Sequence, residues 1–259
     1  MPFPLAHPAA VLPFRRFQHL NFSALLIGAI TPDLSYCFKL DDFAHTVRGC
    51  FGFSLPVGWL AVLIFQAVRD PLVKLLPAPH RQALLQSFRK PNLAWFAVPL
   101  SVLIGAATHV FWDSFTHEVG WFVERSTFLQ MKLFTLDGHH FRMHRLLWHI
   151  STWAGLLFLC RAYLQTLKER TGSAQVFVPE ERRRYALWAA ILSLPLLGVL
   201  PFLVWWIAGK GPSLAETLRA LRISAAVYLV AVSVLLIAIG AGLKIRDRPS
   251  ERPPAKVVE

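Results

Sequence analysis

Charge is scarce in this chain: 16% of its 259 residues are Asp, Glu, Lys or Arg, against about 25% in soluble domains, whereas 55% are apolar. That balance excludes disorder and collagen, and three cysteines are too few for a disulfide-stapled mini-protein. Cys37, Cys50 and Cys160 show no CxxC pattern and are odd in number, so no disulfide framework is expected. Zinc-finger spacing, RNP-like runs and a soluble basic domain are also missing, which excludes nucleic acid as a partner despite a formal charge of +12. Met1 to Phe17 lacks the basic, apolar, small-residue order of a cleavable signal peptide. Insertion into a membrane is then expected to rest on internal spans.

What is present is apolar sequence in long blocks. Five segments, 51–68, 93–113, 145–164, 186–208 and 222–243, approach the roughly 20 residues that a helix needs to cross a bilayer. An earlier apolar run, Phe22 to Ile30, stops at Thr31-Pro32-Asp33 and suits a re-entrant or protein-buried helix, because proline frees backbone groups that lipid cannot satisfy. The expected fold is all-α, a multi-spanning membrane helical bundle of about five transmembrane helices plus that short helix. Residues 1–165 form the region of the candidate site, 166–245 supply two further spans of the same domain, and 246–259, with Pro249, Pro253 and Pro254, read as a disordered tail. His80 to Lys90 reads either as a basic amphipathic helix for an anionic membrane surface or as a solvated connector.

The loops after spans one, three and five carry fifteen Lys and Arg, and those on the other side carry nine on more chain. By the positive-inside rule the first set is cytoplasmic, which puts the amino terminus and the 114–144 loop outside.

All ten histidines lie between His7 and His149, so polar chemistry is confined to the first three spans and their loops. The densest cluster is Thr108-His109-Val110-Phe111-Trp112-Asp113-Ser114-Phe115-Thr116-His117. His109, Asp113 and His117 are four apart, and on a helix each lies about 40° round from the last, on one stripe. An ionisable group at the end of an apolar span is costly to insert, so Asp113 needs a partner or a wet cavity. A His-Asp hydrogen bond at the interface would meet that need. So would a shared cation, to which His7, Asp33, His45 and His149 are expected to contribute from the same side of the membrane. Such a nitrogen and oxygen donor set suits zinc or another borderline divalent metal. Singly, His7 also reads as a helix cap, Asp33 as a turn residue and His45 as a polar loop residue. His19, His80, His139, His140 and His144 are expected at the surface.

Phe3 to Pro13 (FPLAHPAAVLP), Gly28 to Asp33 (GAITPD), His45-Thr46, and THVFWDSFTH followed by Gly120 to Glu124 together resemble a bacterial integral-membrane family of unknown function. More distantly, the order His, Asp, His, HxxxD, His is similar to the all-helical zinc-dependent phospholipase C and nuclease superfamily and to membrane-bound metal-dependent hydrolases. That resemblance implies His7, Asp33, His45, His109 and Asp113 as ligands, with Asp113 bridging, and His117 and His149 in the later histidine places. It also implies the bacterial inner membrane. A ligating amino-terminal tryptophan and a glutamate after His149 are both missing, so one or two ions are expected rather than three.

The function expected from these residues is hydrolysis of a lipid or lipid-linked phosphoester by metal-activated water, with Asp33 or Glu118 as general base. Two rivals stand beside it: a transporter, and a non-catalytic protein with a structural metal or a His-Asp network. Transport is disfavoured because the last two spans offer few side-chain donors beyond Ser193, Ser224 and Ser233.

Overall fold

The computed structural model describes residues 3–87, 96–136, 139–171, 179–200, 203–204 and 214–246. The described residues are mainly helical, with one small hairpin among them, and the chain divides into two compact units, residues 1–63 with 86–172, and residues 64–85 with 173–259.

The first unit opens with a 3-10 helix, Pro4–Arg16. Runs of this length are uncommon, but Pro8 and Pro13 inside it lack the N–H groups that an α-helix would use. Its inner face buries Ala6, His7 and Val11. Asn21 then caps α1 (Phe22–Gly28), its side chain accepting from the Ala24 N–H at 3.0 Å. The Asn21 N–H donates to Ser101 Oγ at 2.8 Å, which fastens this cap to α7 (Ala97–Thr116).

Glycine allows α1 and α7 to meet backbone to backbone. A Cβ on Gly28 would run into the backbone of Val102, and one on Gly105 into the backbone of Leu25 and Ala29. This is the small-residue packing by which membrane helices approach closely. Ala24, Val62, Val98 and Val102 form one apolar cluster around the contact, and Val11, Leu25 and Ala29 form another. Phe22 to Ile30 is therefore a buried short helix rather than a span.

Thr31–Leu34 (α2) and Asp41–Ala44 (α3) follow as single turns, and Thr46 caps α4 (Val47–Gly49) by accepting from the Gly49 N–H at 3.0 Å. A π-helical turn, Cys50–Ser54, leads into α5 (Leu55–Leu75). Beyond α7 come α8 (Trp121–Arg125), α9 (Thr127–Gln130) and a hairpin of β1 (Lys132–Leu136) and β2 (His139–Arg142), in which Phe134 pairs with Phe141. The long α10 (Met143–Thr171) closes this unit, with Gly155 set against the backbone of Ala6 and Thr152 Oγ1 accepting from the Phe3 N–H at 3.1 Å.

In the second unit, α6 (Ala78–Ser87), α11 (Pro179–Ser193) and α12 (Leu214–Arg246) gather around the end of α5. The orphan carbonyls at that helix end are taken by α11: Trp188 Nε1 donates to Leu75 O at 3.2 Å, and Arg184 donates to the carbonyls of Lys74 and Leu76. Glu181 accepts from the Ala78 N–H at 2.6 Å and faces Arg81 at 3.7 Å, so the first turn of α6 is held by a carboxylate of the protein itself. Phe88, Arg89 and Lys90 of the amphipathic segment, and the tail beyond Arg246, lie outside the described residues.

Among the described residues, four helical stretches are long and apolar enough to cross a membrane: Val47–Leu75, Ala97–Arg125, Glu181–Leu200 and Ile223–Arg246. They agree with four of the five expected spans. The fifth, 145–164, is helical within the 29-residue α10 but is not among them, its apolar sequence being broken by His149, Ser151, Thr152 and Arg161.

Replacing Gly105 by valine should separate α1 from α7 and cost about 3 kcal/mol, because backbone cannot move aside as a side chain can. Thermal unfolding in detergent measures this, with Gly242→Ala, where a Cβ meets nothing within 4 Å, unfolding as the parent does.

Candidate metal centre

Four sequence segments bring five polar side chains to one place inside the first unit. His7 comes from the 3-10 helix, Asp33 from α2, His45 from the end of α3, and His109 and Asp113 from successive turns of α7. His109 Nε2 lies 3.2 Å from Asp113 Oδ2 and 3.5 Å from Asp33 Oδ1. His45 Nε2 lies 3.5 Å from Asp33 Oδ1 and 3.6 Å from Asp113 Oδ2. His7 Nε2 faces the other oxygen, Asp113 Oδ1, at 3.4 Å, and its ring stacks on that of His109. His117 Nδ1 is 3.6 Å from Asp113 Oδ2, at the border of the group.

The tautomers are set by backbone. His109 Nδ1 is 2.8 Å from the Ala29 carbonyl and His45 Nδ1 is 2.8 Å from the Asp41 carbonyl. A carbonyl only accepts, so each Nδ1 carries a proton and each ring turns its Nε2 inward. Those two nitrogens are 3.3 Å apart. Two ring nitrogens facing each other beside two carboxylates call for positive charge among them, a proton or a cation.

The close packing of α1 on α7 makes this arrangement, since it delivers the Ala29 carbonyl to His109. Second-partner carbonyls of this kind orient metal-ligating histidines and fix which nitrogen coordinates.

Burial sharpens the requirement. The side chain of His109 is 0% exposed, and those of Asp33 and Asp113 are 4% and 5% exposed. All four carboxylate oxygens, with His7 Nε2 and His117 Nε2, lack a hydrogen-bond partner among the described residues. A buried carboxylate without donors is costly, whereas one shared with a cation is not. Two overlapping triads, His7-Asp33-His109 and His45-His109-Asp113, have the donor types and spacing to hold an ion. Around a tetrahedral zinc with bonds of ~2.0–2.1 Å, neighbouring donors sit about 3.3 Å apart, which is the separation of the two Nε2 atoms.

Two expected members are elsewhere. His149 is exposed, with its ring against Phe141 and Trp148, because it lies on the outer side of α10. Glu118 has a 59% exposed side chain and pairs with Arg142 at 3.3 Å, beyond the turn that follows α7. His144, expected at the surface, is instead buried, its Nδ1 set 3.2 Å from the Leu129 carbonyl. Tyr36 went unnoticed in the sequence although it stands three residues after Asp33. Its ring lies 5.8 Å from that of His45, and burial, then the Asp33 and Asp113 charges, raise its pKa above the ordinary tyrosine value. The Ala29 and Asp41 carbonyls leave no signal in sequence.

Burial, and then the neighbouring His109, hold the His7 pKa well below 6.5. The folded protein therefore keeps His7 neutral, and the unfolded chain binds more protons between the two pKa values. Stability from this group is fully present above about pH 6.5 and is lost as pH falls through the lower folded value. With chelator present, the melting temperature should fall on acidification below that point, and His7→Gln should flatten the slope.

Neither the curated proteins nor the solved structures contain a match to this chain. A family model does match, over residues 1–242, and it includes every residue of the cluster. The chain belongs to the family described as a domain of unknown function, DUF4184.

Proposed function

We propose that the cluster holds divalent metal, zinc suiting its donors best and one or two ions its size, and that the chain is a membrane-bound hydrolase of a lipid or lipid-linked phosphoester. The observation that carries this reading is the set of four buried carboxylate oxygens without donors, faced by imidazole nitrogens at 3.2–3.6 Å. His7, Asp33, His45, His109 and Asp113 would be the ligands. When bound, such a metal supplies Lewis acidity and makes water acidic enough to ionise near neutral pH.

The chain's own residues divide the remaining work. Asp113 turns Oδ1 to His7 and Oδ2 to His45, His109 and His117, which suits a carboxylate shared by two ions. Asp33 is engaged as a ligand in this reading, and Glu118 is too far out to act as base. His117 takes that role: its Nδ1 sits 3.1 Å from the Asp113 carbonyl, which leaves Nε2 to accept a proton. The group is closed at His109 but partly open at His45 and His117, whose side chains are 17% and 26% exposed. Structural zinc sites are closed on all sides, whereas catalytic ones keep a position for water or substrate. The reading puts the protein in the bacterial inner membrane, as the resemblance implies, and with α10 taken as the fifth crossing the Lys and Arg count puts the cluster on the extracytoplasmic side.

The same contacts would also form if the histidines were doubly protonated and no metal were present, as a structural His-Asp network requires. Elemental analysis of the detergent-purified protein separates the two. Wild type should carry zinc, His109→Ala and Asp113→Ala should lose it, and turnover of a chromogenic phosphodiester should stop with chelator. His117→Gln should keep metal yet lose about a hundredfold in rate, the scale of general base catalysis. A well-folded, metal-free wild type would overturn the reading, and bound zinc without turnover would leave a non-catalytic metal protein.

A further inference from the structure

Beside the cluster, the 3-10 helix and α10 leave two abutting hollows between them, both within the first unit. The smaller, about 210 Å³, is lined by Ala6, Ala10, Trp112, Ala154 and Gly155 and ends at His7. The larger, about 620 Å³, is walled by Leu12, Pro13, Ala162 and Gln165, with Arg15 and Arg16 at its edge. Ala9 and Phe158 line both, so the two form one trough.

The floor of this trough is hydrocarbon and small side chains, and its outer end is cationic. Arg15 and Arg16 are exposed, and neither meets a carboxylate among the described residues. Two adjacent guanidinium groups left without an anion suit a phosphate, which they can grip through paired N–H donors. The apolar floor suits an alkyl chain and would gain by removing it from water or from looser packing. Arg15 lies eight residues beyond His7, or ~16 Å at a 3-10 rise of about 2.0 Å per residue.

We propose that this trough binds one anionic phospholipid, with its phosphate on Arg15 and Arg16 and one acyl chain laid across Ala9 and Phe158 toward Trp112. The site does not depend on an ion in the cluster.

The test is titration of the full-length, detergent-purified protein with phosphatidylglycerol, phosphatidylcholine or inorganic phosphate, with bound lipid counted by native mass spectrometry. Phosphatidylglycerol should bind about tenfold more tightly than phosphatidylcholine, a difference of about 1.4 kcal/mol, and inorganic phosphate should not compete. Arg15→Gln with Arg16→Gln should remove that preference. Arg182→Gln with Arg183→Gln, which deletes equal charge from the other unit, should leave it intact. Ala154→Phe should weaken phosphatidylglycerol with both arginines in place, its melting temperature and metal content being read alongside. If it does not fold, the arginine pair still decides. Equal binding of the two lipids, or an undiminished preference in the Arg15 and Arg16 variant, would overturn the proposal.

Discussion

A carboxylate withdrawn from water must be given positive charge or hydrogen-bond donors, and around Asp113 the described protein offers imidazole nitrogens alone. It stands near the end of a membrane-length helix, 5% exposed, with imidazole nitrogens facing both of its oxygens. The surrounding architecture is arranged to keep it so. The 3-10 helix brings His7 to one oxygen, and the short turns before α5 bring Asp33 and His45 to the side of the other. His45 and His109 are held by backbone carbonyls on Nδ1, which leaves Nε2 turned inward.

The glycines of α1 and α7 belong to the same logic. Close approach of two helices is usually an end in itself in a membrane, where lipid is as apolar as leucine and packing has to supply the attraction. Here it has a second effect, since it carries the Ala29 carbonyl to His109 and fixes the protonation of that ring. A packing residue thereby acts on the chemistry of a donor one helix away. The stability of the α1–α7 contact and the orientation of the His109 ring are one property.

Much of the fold was legible in the sequence because its signals are local. Apolar runs of membrane length marked four helices, and proline at position 32 marked the end of the short buried helix. The fifth expected span shows the limit of that method: α10 is long enough, yet its polar residues lower its apolar character, and length alone does not make a span. The cluster was legible where its spacing is helical, in His109, Asp113 and His117. His149 and Glu118 stand outside the cluster because the side chains are turned away from it, which spacing along the chain does not reveal.

What the sequence by itself determined is the solvent and the inventory: scarce charge, long apolar runs, and every histidine in the first 149 positions. These are additive properties of short stretches and need no partner. Only the tertiary structure decided which donors meet, which nitrogen each ring turns inward, and that Arg15 and Arg16 edge a trough whose other end is His7. Those facts depend on the meeting of segments up to about 150 residues apart. Convergence of that kind is set by packing across the whole first unit, where a backbone carbonyl or a missing Cβ counts as much as any side chain that can be read from the sequence.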